Sequence, residues 1–370
     1  MNVLFIHNAF VEYRFEFWRQ LKDRINVDLL ITHKGLEHKL YGLVDKHSSL
    51  GEKYWNLQCL LTLPSLVRSY DIVVLPPTDS IKDFFICLYA QFWCKIRGIK
   101  TVLWSETWFR RRQLLHPLKA VKILTAAAMK VIVGNGTDRF VVPGMKSYQY
   151  FTSLPIWNVR KKTFIAVDSS TSPKPSEELD IHLKYGVPAS SKIILFLGRM
   201  LGFKGLDVLV EAAGKLVMEK DVFLIAGGDG PESEYCQSLI PCEAKERIKF
   251  IGKVSPSLRR SFYEQADVFV IPSRLRDGCI DIWALTVNEA LECGTPVIAT
   301  TDVGASYDLI NERNGRIVPS NDVGALYLAL KDVLFESKLY LKRDKITEEY
   351  MKNYSINNMV DGFMKAFNNK

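Results

Sequence analysis

Short runs of β-branched and aliphatic residues alternate with longer amphipathic segments from one end of the chain to the other. Apolar runs bounded by turn formers read as buried strands, and longer segments with helical spacing read as helices. In the first half the predicted strands are VLFIH (3–7), VDLLIT (27–32), DIVVLP (71–76), KTVLWS (100–105) and KVIVGN (130–135). Helices such as FEFWRQLKDR (15–24) and SIKDFFICLYAQFWCKIRG (80–98) separate them. The second half repeats the pattern with KIILFLG (192–198), DVFLIAGG (221–228), RIKFIG (247–252), DVFVIPS (267–273), TPVIAT (295–300) and GRIVP (315–319). This alternation predicts an α/β fold with parallel sheets, and its repetition predicts two Rossmann-like domains. Residues 166–191, rich in Ser, Pro and charge, read as the connection between them. Ligands of such sheets gather beyond the carboxyl ends of the strands, so the chemistry is to be sought in the loops that follow each strand.

Composition narrows the class. A chain of 370 residues with 48% hydrophobic and 24% charged residues has the balance of a folded globular protein of about two domains. A net charge of +8 and a pI near 9.0 suit a phosphate-bearing partner or an anionic membrane surface. Nucleic acid is not expected, because the chain has no arginine-rich arm, zinc-finger spacing or RNA-binding aromatic signature. The seven cysteines (59, 87, 94, 236, 242, 279 and 293) make no CxxC or other metal spacing and read as reduced thiols of a cytoplasmic protein. MNVLFIHNAF enters an apolar run with no basic leader, so no signal peptide is predicted. FFICLYAQFWC (84–94) is flanked by Lys82, Asp83, Lys95 and Arg97 and falls short of the ~20 residues a membrane span needs, so it reads as a buried helix.

One candidate for anion binding is FLGRMLGFKGLDVLVEAAGKL (196–216): a strand, a loop carrying Gly198, Gly202 and Gly205, then an amphipathic helix. Glycines let backbone N–H groups approach a ligand, and a helix N-terminus favours negative charge. Arg199 and Lys204 add a bidentate and a mobile cation, a pair suited to a diphosphate. The loop is neither a P-loop nor GxGxxG, and both cations are also consistent with ordinary surface charges flanking a turn. In AGGDGP (226–231), Asp229 has no second carboxylate at ligand spacing and reads as a turn residue, so no metal site is predicted.

DGCIDIWALTVNEALECG (277–294) places two acids, Asp281 and Glu289, eight residues apart in an apolar setting. On one continuous helix they would stand about 12 Å apart along the axis at ~1.5 Å per residue. Paired glycosidase carboxylates lie ~5–9.5 Å apart, so that mechanism is not expected. The spacing fits two hydrogen-bond acceptors for two hydroxyl-bearing parts of one extended ligand. The N–H groups of Ala284, Leu285 and Thr286 would meet an anion between them, as in sugar–diphosphate–ribose. The alternative keeps Asp281 as a helix cap and Glu289 as a solvated helix charge.

The segment IPSRLRDGCIDIWALTVNEALECGTPVIATTDVGA (271–305) resembles the C-terminal signature of GT-B-fold retaining glycosyltransferases of family 4 (glycosyl transferases group 1), with its Glu-x7-Glu, Ala-rich helix and Gly-x-Pro-Val. The resemblance extends to LGRMLGFKG, IAGGDGP, FIGKVS (250–255) and NGRIVPSND (314–322), covering about residues 150–335. It implies an N-terminal acceptor-binding Rossmann-like domain (1–157), a linker and nucleotide-sugar-binding domain (158–351), and a C-terminal helix (352–370) returning to the first, the two domains facing across a cleft. By the same resemblance Gly198, Arg199 and Lys204 serve the diphosphate, and Asp281 contacts the donor sugar. Glu289 takes the ribose hydroxyls, and Lys253, Val254 and Ser255 flank the base.

The function implied is retaining transfer from a nucleotide-diphosphate sugar, UDP first and GDP second, to a glycan or lipid-linked saccharide. The expected setting is bacterial surface polysaccharide (O-antigen or capsule) synthesis, with no cofactor and no essential metal, at a cytoplasmic location peripheral to the membrane. Two departures mark this chain. Asp281 is one methylene shorter than the usual glutamate, and Ala284 stands where a glycine normally follows the aromatic residue. On the acceptor side, HNAFVEYRFEFW (7–18) offers His7 and Arg14, and WSETW (104–108) offers Glu106, which also suits a capping or solvated role. FRRRQLLHPLKAVK (109–122) is basic with interleaved apolar residues and fits either anionic lipid or a solvated helix face. The rival functions are a nucleotide-sugar 2-epimerase on the same fold and a non-catalytic nucleotide-sugar-binding module.

Overall fold

A computed structural model of the chain describes residues 1–9, 11–33, 53–109, 111–115, 117–172, 179–336 and 342–369. These divide into two compact units, residues 1–170 with 356–370 and residues 171–355.

In unit 1 the strands are β1 (Asn2–His7), β2 (Asn26–Ile31), β3 (Lys53–Tyr54), β4 (Ile72–Leu75), β5 (Lys100–Trp104), β6 (Arg139–Val142) and β7 (Thr163–Ile165). They form a parallel sheet in the order β3-β2-β1-β4-β5-β6-β7. The order reverses beside β1, which is the switch point where a doubly wound sheet opens a crevice for ligand. Strand β7 extends this sheet to Ile165, so the first unit runs to Ser170, where the sequence placed its end at residue 157.

The predicted strand at 130–135 is instead the last part of a helix, Pro117–Asn135, and the strand that follows is Arg139–Val142. Met129, Lys130 and Val133 are buried at spacings of one, three and four, which is one helical face. Packing on the sheet thus overrides the β-branched character of Val131–Ile132–Val133.

The closing helix Ile356–Asn368 buries Ile356, Met359, Val360, Phe363, Ala366 and Phe367, a single stripe at helical spacing. Its Phe363 sits 5.0 Å from Trp104 and 6.0 Å from Phe5, inside an aromatic core with Phe17 and Trp18. Gly362 lets the helix lie directly against Ala166, where a Cβ would collide. Arg139 adds a hydrogen bond of 2.9 Å to the Ala366 carbonyl.

Unit 2 holds β8 (Lys192–Leu197), β9 (Val222–Gly227), β10 (Ile248–Phe250), β11 (Val268–Ile271), β12 (Val297–Thr300) and β13 (Gly315–Val318). They pair in parallel in the order β10-β9-β8-β11-β12-β13, again with a reversal, here beside β8. All six are the runs predicted from sequence. The four inner strands, β9, β8, β11 and β12, are buried almost continuously, as expected of strands covered by helices on both faces.

Candidate functional site

The carboxyl edge of the unit 2 sheet is a set of interlocked glycine turns. Gly198 N–H donates to the Gly227 carbonyl at 3.0 Å, and Gly228 N–H to the Gly252 carbonyl at 2.7 Å, so the loops after β8, β9 and β10 lie side by side. Gly228, at φ +135°, lies so close to the Gly198 carbonyl that no Cβ would fit. Gly205, at φ +69°, performs the same service against the Pro272 carbonyl, at the start of the helix Leu206–Glu219.

In this setting Arg199 is exposed, with no ion pair among the described residues. Lys204 is half-buried and places Nζ 2.6 Å from Oδ2 of Asp281. The same oxygen accepts from Ser273 Oγ at 2.8 Å, and the Asp281 carbonyl accepts from Gly304 N–H at 3.0 Å. Asp281 is therefore buried and held between the loops after β11 and β12, outside the helix, whose N-cap is Ala284 with no side-chain cap. That removes the cap alternative for Asp281, and the distance based on one continuous helix does not apply.

The helix Leu285–Glu292 starts from Ala284 in the left-handed region (φ 60°, ψ 77°). First-turn N–H groups of a helix, here those of Leu285 and Thr286, have no intrahelical acceptor. Trp283 is fixed before them by Nε1–H donating to Asn288 Oδ1 at 3.1 Å, and Asn288 in turn donates to the Tyr350 hydroxyl at 3.1 Å.

Glu289 is buried, so it is not a solvated charge. Tyr263 OH donates to its Oε2 at 2.8 Å, and Arg259 lies 3.6 Å from Oε1. Burial pushes its pKa up, against the opposing pull of Arg259 and of the Tyr263 hydrogen bond. At the edge of the group, Lys253 pairs with Asp229 at 3.1 Å, Val254 is half-buried and Ser255 is exposed.

Sequence reasoning missed Ser273, Tyr263 and Arg259, which hold the two acids, and Arg274. Arg274 ties the loop after β11 to Asp207 at 2.6 Å and to Asn321 at 2.7 Å. The turn of this loop, Asp277–Gly278 with both φ positive, is the one signal that was visible in advance.

The carboxyl edge of unit 1 is built differently. Arg14 is buried and grips Asp168 with two nitrogens while also donating to Glu106 at 2.5 Å. It lies over the Trp104 ring, 5.0 Å from the centroid. Arg14 is thus committed inside the unit and positions Glu106, which is the member of the pair that reaches solvent. Although the Glu106 side chain stays 37% exposed, desolvation by the surrounding protein raises its pKa to about 7, with Asp168 and Asp79 adding to the shift and Arg14 opposing it. His7 is lowered to about 4, first by burial and then by the Arg14 charge, against a smaller raising effect of the Ala9 carbonyl. Lys130, fully buried, pairs with Asp79 at 2.6 Å. Asp168, Asp79 and Lys130 carried no local sequence signal. In the basic segment 109–122, Arg110 and His116 lie outside the described residues.

Comparison with known proteins places the second unit. Residues 191–335 match the family described as Glycosyl transferases group 1. The chain is 30% identical over 176 residues to a D-inositol 3-phosphate glycosyltransferase of Xylanimonas cellulosilytica, covering 46% of this chain and 40% of that protein. It is 28% identical over 171 residues to a GDP-mannose-dependent phosphatidylinositol monomannoside mannosyltransferase of Mycolicibacterium smegmatis, covering 45% and 44%. The matches therefore span less than half the length of these relatives. Among solved structures, Anabaena HepE in complex with UDP superposes with a TM-score of 0.71 at 15% identity over 99% of both chains, a likeness of fold.

Proposed function

We propose that this chain, whose residues 191–335 match the glycosyl transferases group 1 family, is a retaining glycosyltransferase of the GT-B fold that moves a sugar from a nucleotide diphosphate to a hydroxyl-bearing acceptor. The observation that carries the proposal is the Lys204–Asp281–Ser273 cluster, with an exposed Arg199 in the same loop as Lys204, on a bed of glycine turns at the carboxyl edge of the sheet. Arg199, Lys204 and the N–H groups of Ala284, Leu285 and Thr286 would receive the diphosphate and stabilise it as it departs with the growing negative charge. Asp281 would hold the donor sugar. Its carboxylate is fixed by Ser273, so it can accept a sugar hydroxyl once Lys204 turns to the phosphate. Glu289, set by Tyr263, would accept from the ribose, with Lys253, Val254 and Ser255 beside the base.

With two cations at the diphosphate, the proposed reaction needs no metal, and turnover should survive EDTA. UDP is the first choice of leaving group and GDP the second: HepE was solved with UDP, and the mycolicibacterial relative is named for GDP-mannose. The proposed acceptor is a glycan or lipid-linked saccharide of a bacterial surface polysaccharide, and the proposed location is cytoplasmic and peripheral to the membrane. No helix among the described residues is long and apolar enough to cross one.

The test is a thermal-shift panel of nucleotide sugars followed by mass spectrometry of donor hydrolysis and transfer. Stabilisation by UDP- or GDP-sugars with slow release of free sugar is expected. Epimerised sugar without acceptor would assign an isomerase instead, and nucleotide binding with no turnover would leave a binding module.

A further inference from the structure

The helix Arg259–Gln265 follows β10 and leads into the parallel strand β11, so it starts at the carboxyl edge of the unit 2 sheet and returns along it. Arg259, its first residue, therefore stands at the same edge as the turn Lys253–Ser255 and the start of the helix Leu285–Glu292. The two helices pack on each other, which brings Arg259 beside Glu289.

Tyr263 reaches the same carboxylate from one turn further on, because positions i and i+4 share a helix face. Its hydroxyl occupies Oε2 at 2.8 Å. Oε1 accepts no hydrogen bond among the described residues, and the Glu289 side chain keeps 9% of its surface open. The Arg259 guanidinium comes to 3.6 Å from Oε1, near enough to attract it and too far to hydrogen-bond it. The Arg259 side chain is 39% exposed and donates to none of the described residues. The next residue differs: Arg260 donates to Glu264 at 2.7 Å and to the Ser172 carbonyl at 3.0 Å.

A carboxylate oxygen with room to accept, beside a guanidinium with N–H groups to give, suits a ligand group that donates and accepts at once. A lone arginine would favour a phosphate, but here Glu289 would repel one. A hydroxyl has one O–H donor and two acceptor lone pairs, and two adjacent hydroxyls match the planar fork of a guanidinium. We infer that Arg259 and Glu289 form a couple that reads the vicinal diol of the donor's ribose, Arg259 donating to the hydroxyl oxygens whose hydrogens Glu289 accepts. Because the nucleoside is supplied by the proposed transfer reaction, the couple rests on that reading and adds to it a residue that selects ribose over deoxyribose. The Arg259 charge also opposes the rise that burial imposes on the Glu289 pKa, which keeps the carboxylate an acceptor.

The experiment is calorimetric titration of the full chain with UDP and GDP and with their 2′-deoxy forms. Wild type should prefer the ribonucleotide at least about tenfold, the scale of one hydrogen bond to a charged group. Arg259→Met should weaken ribonucleotide binding about tenfold and shrink the preference, because the 2′-deoxy form has less to lose. Arg259 is partly exposed at the head of its helix, so the urea midpoint should move little. Arg259→Lys separates a ligand contact from a simple counter-charge for Glu289: lysine restores the charge without the fork, so the ribose preference should recover only in part. Full recovery with lysine, an unchanged preference in Arg259→Met, or a wild type indifferent to the 2′-hydroxyl would overturn the couple and leave the transferase reading in place. Absence of both UDP and GDP binding by wild type would remove the couple and that reading together.

Discussion

The carboxyl edges of the two sheets both gather charged groups, but they commit them differently. In unit 1 the buried cations are spent inside the protein: Arg14 holds Asp168 and Glu106, and Lys130 holds Asp79. In unit 2 Arg199 is exposed and unpaired among the described residues, while Lys204 has a single carboxylate partner and remains partly accessible. An edge whose cations are neutralised internally can present carboxylate and hydroxyl acceptors to a neutral polyol. An edge with cations in reserve can take a diphosphate. The contrast fits the proposed division into a sugar-accepting half and a nucleotide-binding half, and it can be attacked from either side.

Removing Arg14 should cost the most. Arg14→Ala removes the guanidinium from the buried Asp168, and breaking a buried pair from one side costs about 3–5 kcal/mol. Urea unfolding should show that loss, and a midpoint near wild type would mean that the network is not structural. In unit 2 the corresponding deletion should cost less stability, because Lys204 is partly accessible and Asp281 keeps its bond from Ser273, and it should stop the chemistry. Lys204→Ala and Glu289→Ala are expected to lower turnover on the true donor about 10²–10³-fold, the scale of losing one preorganised charge partner of the transition state. Near-normal rates in either variant would remove that residue from the site.

The same difference explains what could be read in advance. Every strand of unit 2 and its proposed ligand groups sit in short contiguous motifs, with a glycine, a cation or an acid within a few residues of a strand end. The unit 1 network joins Arg14 to Asp168 across 154 positions, and no local pattern announces a pairing made only by the fold. Tyr263, 26 positions before Glu289, was invisible for the same reason. The misassigned strand at 130–135 has another cause: three β-branched or aliphatic residues in a row suit a strand and a packed helix equally, and the sheet decided between them.

A pH titration of stability, compared between wild type and single variants, probes the unit 1 edge. Glu106 binds its proton more tightly when folded, near pH 7 against 4.5, so its contribution favours the fold at low pH and is lost as pH rises through that window. His7 goes the other way: its folded value near 4 against 6.5 means stability is present above 6.5 and lost as pH falls toward 4. The two slopes oppose each other in wild type. Glu106→Gln should leave the rise due to His7, and His7→Asn the fall due to Glu106, both followed by urea midpoints. Parallel profiles for all three proteins would place these groups in water-like surroundings.

The smallest expected effect concerns strain at the unit 2 edge. Among the described residues four non-glycine positions have positive φ: Asn158, Asp277, Ala284 and Asn321. Asn and Asp tolerate that region through local hydrogen bonds, but alanine has no such compensation. Ala284 also begins the helix proposed to receive the diphosphate, where strain is most useful and most readily retained. Ala284→Gly should therefore stabilise the protein by about 0.5–1 kcal/mol, the relieved strain less the entropy glycine loses on folding. If turnover is unchanged, the methyl group is incidental. If turnover falls or the preferred donor changes while stability rises, Ala284 and the shortened Asp281 form one adaptation, in which the extra methyl group and the missing methylene together reset where the donor sugar sits.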